Sequence, residues 1–184
     1  AERESAVNGS VAGIFGAPGQ SCVAGSRVFL QGGIADAFLE RMIATAQGIR
    51  IGDPMAEETE MGPLCTTAQL SHIQQQIKTA VDQGGKILTG GAQPEGLGQQ
   101  YFQPTIIEAP DPSLEIVDTE LFGPVLTVQR FRDEAHVLAL ANQSEHGLAA
   151  GIFTRDSARS VRMAKRIRAG IVWINTYRAI SPIA

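Results

Sequence analysis

Apolar side chains recur along the chain in two rhythms. Over residues 36–47, Phe38, Met42 and Ile43 fall at helical spacing and Gly48 follows, which predicts a helix. Thr66 or Thr67 caps a second helix over residues 68–83, with Leu70, Ile73, Ile77 and Val81 along one face and Gly84 and Gly85 ending it. A short β-prone piece at 86–89 and a Gly, Pro and Gln-rich loop at 92–100 come next. Residues 101–108 and 125–131 are rich in β-branched and aromatic side chains and bounded by prolines, so both read as strands, with an irregular segment carrying residues 118–124 between them. Asp133 then caps a helix to about residue 142, and residues 149–154 form a strand. Asp156 caps a helix to about residue 168, and residues 171–175 form a last strand.

The last strands are continuous apolar runs rather than alternating ones, the pattern of strands covered on both faces. Together with the strand, helix, strand order this predicts an α/β fold: a mostly parallel sheet covered by helices and joined by right-handed crossovers. In such sheets ligands bind beyond the carboxyl ends of the strands, so the loops that follow strands or precede helices are where chemistry is expected.

Composition narrows the class. The 184 residues suit one domain, and 43% apolar with 18% charged residues is a globular balance. A net charge of −4 argues against nucleic acid as a partner. The longest apolar runs fall far short of the ~20 residues a membrane span needs, so no membrane association is expected. Two cysteines in unlike settings and a start without a secretion pattern point to a reducing compartment and a cytoplasmic location. Arg155, Arg159, Arg162 and Arg166 recur at helical spacing, with Lys165 and Arg168 beside them; in an acidic chain this reads as a solvated helix face.

The usual phosphate, dinucleotide and zinc motifs are absent from the sequence, and His72, His136 and His146 stand singly, so no metal is expected. Cys22 stands out. Small residues flank it on both sides, and the step from Pro18 and Gly19 into residues 21–24 resembles a loop entering a helical turn. A thiol at a helix start has a lowered pKa, and the free N–H groups there hold a developing oxyanion. The plainer reading is a space-filling buried cysteine, and Cys65 reads as a packing residue ahead of its helix.

Residues 19–27, Gly-Gln-Ser-Cys-Val-Ala-Gly-Ser-Arg, resemble the catalytic cysteine segment of the aldehyde dehydrogenases. Glu120-Leu121-Phe122-Gly123-Pro124 is similar to that family's Glu-x-Phe-Gly-Pro segment. Residues 146–154, His-Gly-Leu-Ala-Ala-Gly-Ile-Phe-Thr, and 169–175, Ala-Gly-Ile-Val-Trp-Ile-Asn, resemble two further stretches, and Asp53-Pro54 and Met61-Gly62-Pro63-Leu64 fall in the expected order. The resemblance implies that Cys22 attacks an aldehyde, that hydride passes to NAD or NADP, and that water releases a carboxylic acid from a thioester. It makes Glu120 the carboxylate on the nicotinamide ribose hydroxyls and Phe122 the aromatic beside the nicotinamide ring. Ser21, Val23, Arg178 and Ser181 become candidates for the aldehyde pocket.

The departures are as specific. The family's cofactor-binding domain, its water-activating glutamate and an oxyanion-hole asparagine all lie upstream of the cysteine segment, and its Pro-Phe-Gly-Gly segment and oligomerisation strand lie downstream. None is matched here, so residues 1–184 read as an incomplete catalytic domain whose partners are the missing cofactor domain and, when intact, further copies of itself. Two other readings stay open: a self-contained hydrolase with Cys22 activated by His146, and a noncatalytic interaction module.

Overall fold

The computed structural model describes residues 3–179. In chain order its elements are α1 (Arg3–Phe15), β1 (Arg27–Gln31), α2 (Gly32–Gln47), α3 (Thr67–Asp82), β2 (Lys86–Thr89), β3 (Thr105–Glu108), α4 (Glu115–Asp118), β4 (Val125–Phe131), α5 (Glu134–Gln143), β5 (Ala149–Ile152), α6 (Ser157–Ala164) and β6 (Ile171–Ile174). Side-chain caps start three of the helices as expected. Thr66 accepts from the Gln69 N–H at 3.1 Å, Asp133 from the His136 N–H at 2.8 Å and Asp156 from the Arg159 N–H at 2.9 Å.

The strands build an α/β architecture with two sheets where the sequence pattern implied one. Four strands run in the order β1-β4-β3-β2, parallel except for the antiparallel pairing of β2 with β3, and β5 pairs with β6 in a separate parallel ribbon. Residues alternate between faces along a strand, so adjacent apolar residues serve opposite layers. Ile106, Leu126 and Val128 join α1 and α2 in one core with Ile14, Phe15 and Met42. Ile107 and Val125 join α3 and α4 in the other, with Ile73 and Phe102. Each fully buried side chain of this size contributes about 1.5–3 kcal/mol. A third cluster of Val137, Leu138, Ile152 and Met163, with Phe29 and Phe131 packed on it, links the ribbon to the larger sheet.

Several boundaries differ from the sequence reading. α1, β1 and the single turn α4 were not among the expected elements, and α2 begins at Gly32 rather than Asp36. α6 ends at Ala164 instead of about Arg168, because the Arg166 N–H bonds back to the Met163 carbonyl and tightens the chain out of the helix. Cover along the ribbon is uneven among the described residues: Ile171 and Ile174, at the two ends of β6, are exposed, while Trp173 between them is buried. The arginine-rich face is partly committed inward, as Glu134 holds both Arg159, at 2.9 Å, and Arg162, at 2.8 Å. Those two guanidinium groups hold the Glu134 carboxyl below its ordinary range. Among the described residues no helix is long and apolar enough to cross a membrane.

The loop after α1 docks against the loop before β4 backbone to backbone. Gly19 has a left-handed φ of +67°, and a Cβ there would overlap the carbonyl oxygen of Gly123. Gly123 is closed from its other side, since a Cβ on it would overlap Ile73 of α3. Gly19→Ala is expected to lower the unfolding free energy by more than about 1 kcal/mol, combining left-handed strain with a collision that no side-chain rotation relieves. Gly84→Ala is the control: it has a φ of +98° but no atom within 4 Å of the added Cβ. Chemical denaturation checks it; equal losses in the two variants would show that strain alone, and not the loop contact, sets the cost.

Candidate functional site

The chain leaves α1 at Phe15, and the Gly19 N–H closes back on the Ile14 carbonyl at 2.7 Å. It then makes a tight turn at residues 21–24, in which the Ala24 N–H bonds the Ser21 carbonyl at 2.9 Å and Cys22 and Val23 form the corner. The nucleophile candidate therefore sits on a turn between a helix and a strand, not at a helix N-terminus as the sequence suggested. Helix-dipole activation of the thiol falls away with that placement. What the turn retains is a backbone N–H on Cys22 itself, because the turn's own bond uses the N–H of Ala24. Cys22 is exposed, which disposes of the space-filling reading, and Cys65 is exposed as well.

Four further ties hold the turn. Gln20 braces it with both ends of its amide, accepting from the Cys65 N–H at 2.9 Å and donating to the Pro63 carbonyl at 3.4 Å. The Gly25 N–H bonds the Gly13 carbonyl of α1 at 3.1 Å, and the Thr127 N–H of β4 bonds the Ser26 carbonyl at 2.9 Å. The Tyr177 hydroxyl donates to the Val23 carbonyl at 3.1 Å. Sequence reasoning passed over Gln20 and Tyr177. The signal for Gln20 was its place two residues before the thiol; for Tyr177 it was an aromatic facing glycines far off in the chain, which no local window reveals.

The 120–124 loop reaches the same place from the other side. Gln69 on α3 donates its amide N–H to the Leu121 carbonyl, so the N-terminal part of that helix steadies the loop. Phe122 has a φ of 50°, a left-handed backbone that costs an aromatic residue of order 1 kcal/mol and turns its ring outward, 40% exposed. Glu120 is exposed beside it. Ser21, Cys22, Glu120 and Phe122 all line one cleft of about 1350 Å³ that runs between the free edges of β1 and β5. Typical small-molecule pockets measure about 300–1,000 Å³, so this one has space for more than a small aldehyde. Arg27 also lines it; burial lowers the pKa of that guanidinium, against the raising effect of Asp118, and it remains a cation.

The other candidates part company. Val23 and Arg178 are not among the cleft-lining residues; Val23 instead offers its carbonyl to Tyr177, and Arg178 follows that tyrosine with a left-handed φ of 58°. Ser181 lies outside the described residues. His146 lines the cleft, but its Nε2 is 3.0 Å from the Asp118 carbonyl oxygen, a partner that requires the ring to donate there. That tautomer leaves Nδ1 as the acceptor, and no hydrogen bond joins it to the Cys22 thiol among the described residues, so nothing here supports the hydrolase reading. Among the described residues no three His, Cys, Asp or Glu side chains are grouped to hold a metal ion.

Residues 1–183 match the family model described as the aldehyde dehydrogenase family. The (Z)-2-((N-methylformamido)methylene)-5-hydroxybutyrolactone dehydrogenase of Acinetobacter baylyi is 48% identical over 98% of this chain and 37% of its own length. A betaine aldehyde dehydrogenase of Sinorhizobium fredii is 41% identical over 100% of this chain and 38% of its own. Among solved structures, PnpE from Pseudomonas sp. WBC-3 superposes with a TM-score of 0.97 at 46% identity, covering 100% of this chain and 38% of that one. The betaine aldehyde dehydrogenase of Staphylococcus aureus in complex with NAD+ gives 0.97 at 36% identity, over 100% and 37%. The chain thus spans well under half the length of the relatives it matches, and the match runs through both the turn that carries Cys22 and the loop that carries Phe122: it belongs to the aldehyde dehydrogenase family.

Proposed function

We propose that residues 1–184 are the nucleophile-bearing catalytic segment of an NAD(P)-dependent aldehyde dehydrogenase that turns an aldehyde into a carboxylic acid. The observation that carries this reading is the convergence of Cys22, Glu120 and Phe122 on one cleft through loops locked together at Gly19 and Gly123. The Cys22 sulfur, as thiolate, forms a bond to the aldehyde carbon, and the carbonyl electron pair moves onto oxygen. The N–H of Cys22 is available to that oxyanion, as a fixed dipole aimed at charge that develops only during reaction. When bound, the nicotinamide supplies the acceptor for the hydride that leaves as the carbonyl re-forms. A thioester then remains on Cys22. Water adds to it, the thiolate departs, and the acid is released.

The chain's residues suit the nicotinamide end of such a cofactor. Glu120, an acceptor-only carboxylate when ionised, fits the paired hydroxyls of the ribose, and the outward Phe122 ring offers a flat apolar face to the nicotinamide. The cleft exceeds the space a small aldehyde fills, which supports sharing it with a cofactor and with further polypeptide. This reading places the dinucleotide-binding domain, the water-activating glutamate and the second oxyanion donor in that further polypeptide, and has the intact enzyme work as a homo-oligomer in the cytoplasm. The two curated relatives carry different substrate names at 48% and 41% identity, so the substrate is assigned as an aldehyde and no further.

Three outcomes test the reading. Cys22→Ala in the full-length enzyme is expected to lower kcat by at least about a thousandfold while cofactor binding, followed by fluorescence titration, is retained. Near-normal turnover would refute the assignment. Glu120→Gln keeps the shape and an acceptor oxygen but removes the charge, so cofactor KM should rise about tenfold, the difference between a charged and a neutral hydrogen bond. Thioester hydrolysis should stay competent in that variant; a stable acyl-enzyme seen by intact-mass spectrometry would instead make Glu120 the water activator. The isolated 184-residue chain should unfold cooperatively yet form no reduced nicotinamide from a panel of aldehydes with either cofactor. Sustained turnover above its own Cys22→Ala control would mean that the segment is a complete smaller enzyme.

A further inference from the structure

The Tyr177 ring stands where three glycines leave it room. A Cβ at Gly13 on α1 would come within 2.8 Å of Tyr177 Cδ1, and one at Gly151 on β5 within 2.5 Å of Cδ2. At Gly25, on the segment leading from Cys22 into β1, a Cβ would lie 3.4 Å from Cε1. Trp173 completes the surround, edge to face at 4.9 Å between ring centroids. The hydroxyl of this confined ring reaches the Val23 carbonyl oxygen at 3.1 Å, next in sequence to the thiol and at the same corner of the turn.

We propose that Tyr177 is a positioning residue for the Cys22 nucleophile, its hydroxyl fixing the Val23 carbonyl and with it the peptide planes that aim the thiol and the Cys22 N–H. The proposal rests on the reading of Cys22 as the nucleophile. A tight turn has a single internal hydrogen bond, here Ala24 to Ser21, which leaves its corner peptides free to rock. The carbonyl of Val23 cannot rotate without moving the plane it shares with Ala24 and straining the one before it. A flexible side chain bonded there would rock with the turn. A phenol ring has only two side-chain torsions, and this one is walled by the backbone of α1, of β5 and of the segment after the turn, so it transmits the rigidity of α1 and β5 to the turn. Burial pushes the Tyr177 phenol above its ordinary range, outweighing the opposite effect of Arg178, so the hydroxyl stays a donor through neutral and mildly alkaline pH.

A misplacement of about 1 Å at a reacting centre costs up to about a hundredfold in rate. Loss of this one bond loosens the turn without shifting it outright, and the expected effect is about tenfold. The test uses the full-length enzyme with NAD+ and an aldehyde that it turns over. Tyr177→Phe keeps the ring in its niche and deletes the hydroxyl; first-turnover formation of reduced nicotinamide should slow about tenfold with the aldehyde KM and the melting temperature unchanged. Gly151→Ala leaves the hydroxyl intact but pushes the ring out of its niche, and the same slowing is expected. Wild-type first-turnover rates in Tyr177→Phe overturn the proposal, as does a lowered melting temperature with the rate unchanged, which would make the tyrosine a packing residue only. If Gly151→Ala does not fold, Tyr177→Phe decides alone. A parallel Cys22→Ser variant separates the two readings: turnover persisting in it defeats the nucleophile assignment, whereas a dead Cys22→Ser beside a normal Tyr177→Phe defeats only the positioning role.

Discussion

The site depends on a contact with no side chain in it. Gly19 and Gly123 meet backbone to backbone, with Ile73 closing the far side of Gly123. Polar ties can stretch by a few tenths of an ångström, and exposed ion pairs add little; pairs such as Arg41–Glu4, Arg130–Asp36 and Arg159–Glu134 involve partly exposed groups, a class whose contribution is about 0–1 kcal/mol each. A steric stop between two main chains does not stretch. It sets how near the Cys22 turn comes to the Phe122 loop, and the hydrogen bonds of Gln20 and Gln69 then only refine the orientation on each side. Phe122, next to Gly123, holds a left-handed backbone, and its ring lines the cleft.

The same device recurs where Phe153 and Tyr177 meet the first helix. Gly9 and Gly13 stand one helical turn apart on α1, and a Cβ on them would lie 2.7 Å from Phe153 and 2.8 Å from Tyr177. These two glycines bring the β5–β6 ribbon onto α1, and through α1 onto the Cys22 turn, although the ribbon shares no strand pairing with the larger sheet. Glycine in a helix interior costs about 0.5–1 kcal/mol against alanine. Burial of most of Phe153 and of Tyr177 outweighs that for both positions together.

This explains what could be read from the sequence and what could not. α3 and α5 were legible because each carries a side-chain cap and an apolar stripe, both local properties. α1 was not: its Gly, Ser and Ala content blurs the helical rhythm, and the glycines make sense only with Phe153 and Tyr177 in place, more than a hundred residues away. β1 was hidden in turn because the neighbouring small residues drew the eye to a helix start at Cys22. The α/β class followed from the strand and helix order, but the division into two sheets depends on which edges meet, and no single strand encodes its neighbour. At the site, Cys22 stood out by its small-residue setting, Glu120 and Phe122 by resemblance of a short segment, and the fold brings all three to one cleft. The supports, Gln20 and Tyr177, escaped because bonding to a main-chain carbonyl or N–H leaves no mark on the partner's identity.

The ribbon carries one more consequence of that difference between pattern and partner. Its strands were read as covered on both faces from continuous apolar runs, yet Ile171 and Ile174 are 43% and 41% exposed, and Leu148 just before β5 is 49% exposed. An apolar run records how much cover a strand needs, not which chain or segment supplies it. In the larger sheet the need is met from within, by α1 and α2 on one face and α3 and α4 on the other. Along the ribbon it is met unevenly: Val172 packs on the cluster of Val137, Leu138 and Met163 and Trp173, on the opposite face, is buried beside Tyr177, while Ile171 and Ile174 at the two ends of β6 stay exposed. Stability and chemistry are therefore divided unequally in this segment. The Cys22 turn is anchored to the larger sheet and its helices through Gly19, Gly25 and Ser26, and among the described residues Tyr177 ties it to the ribbon. Whatever steadies the ribbon steadies the Tyr177 ring, and that ring is the route by which its packing reaches the thiol.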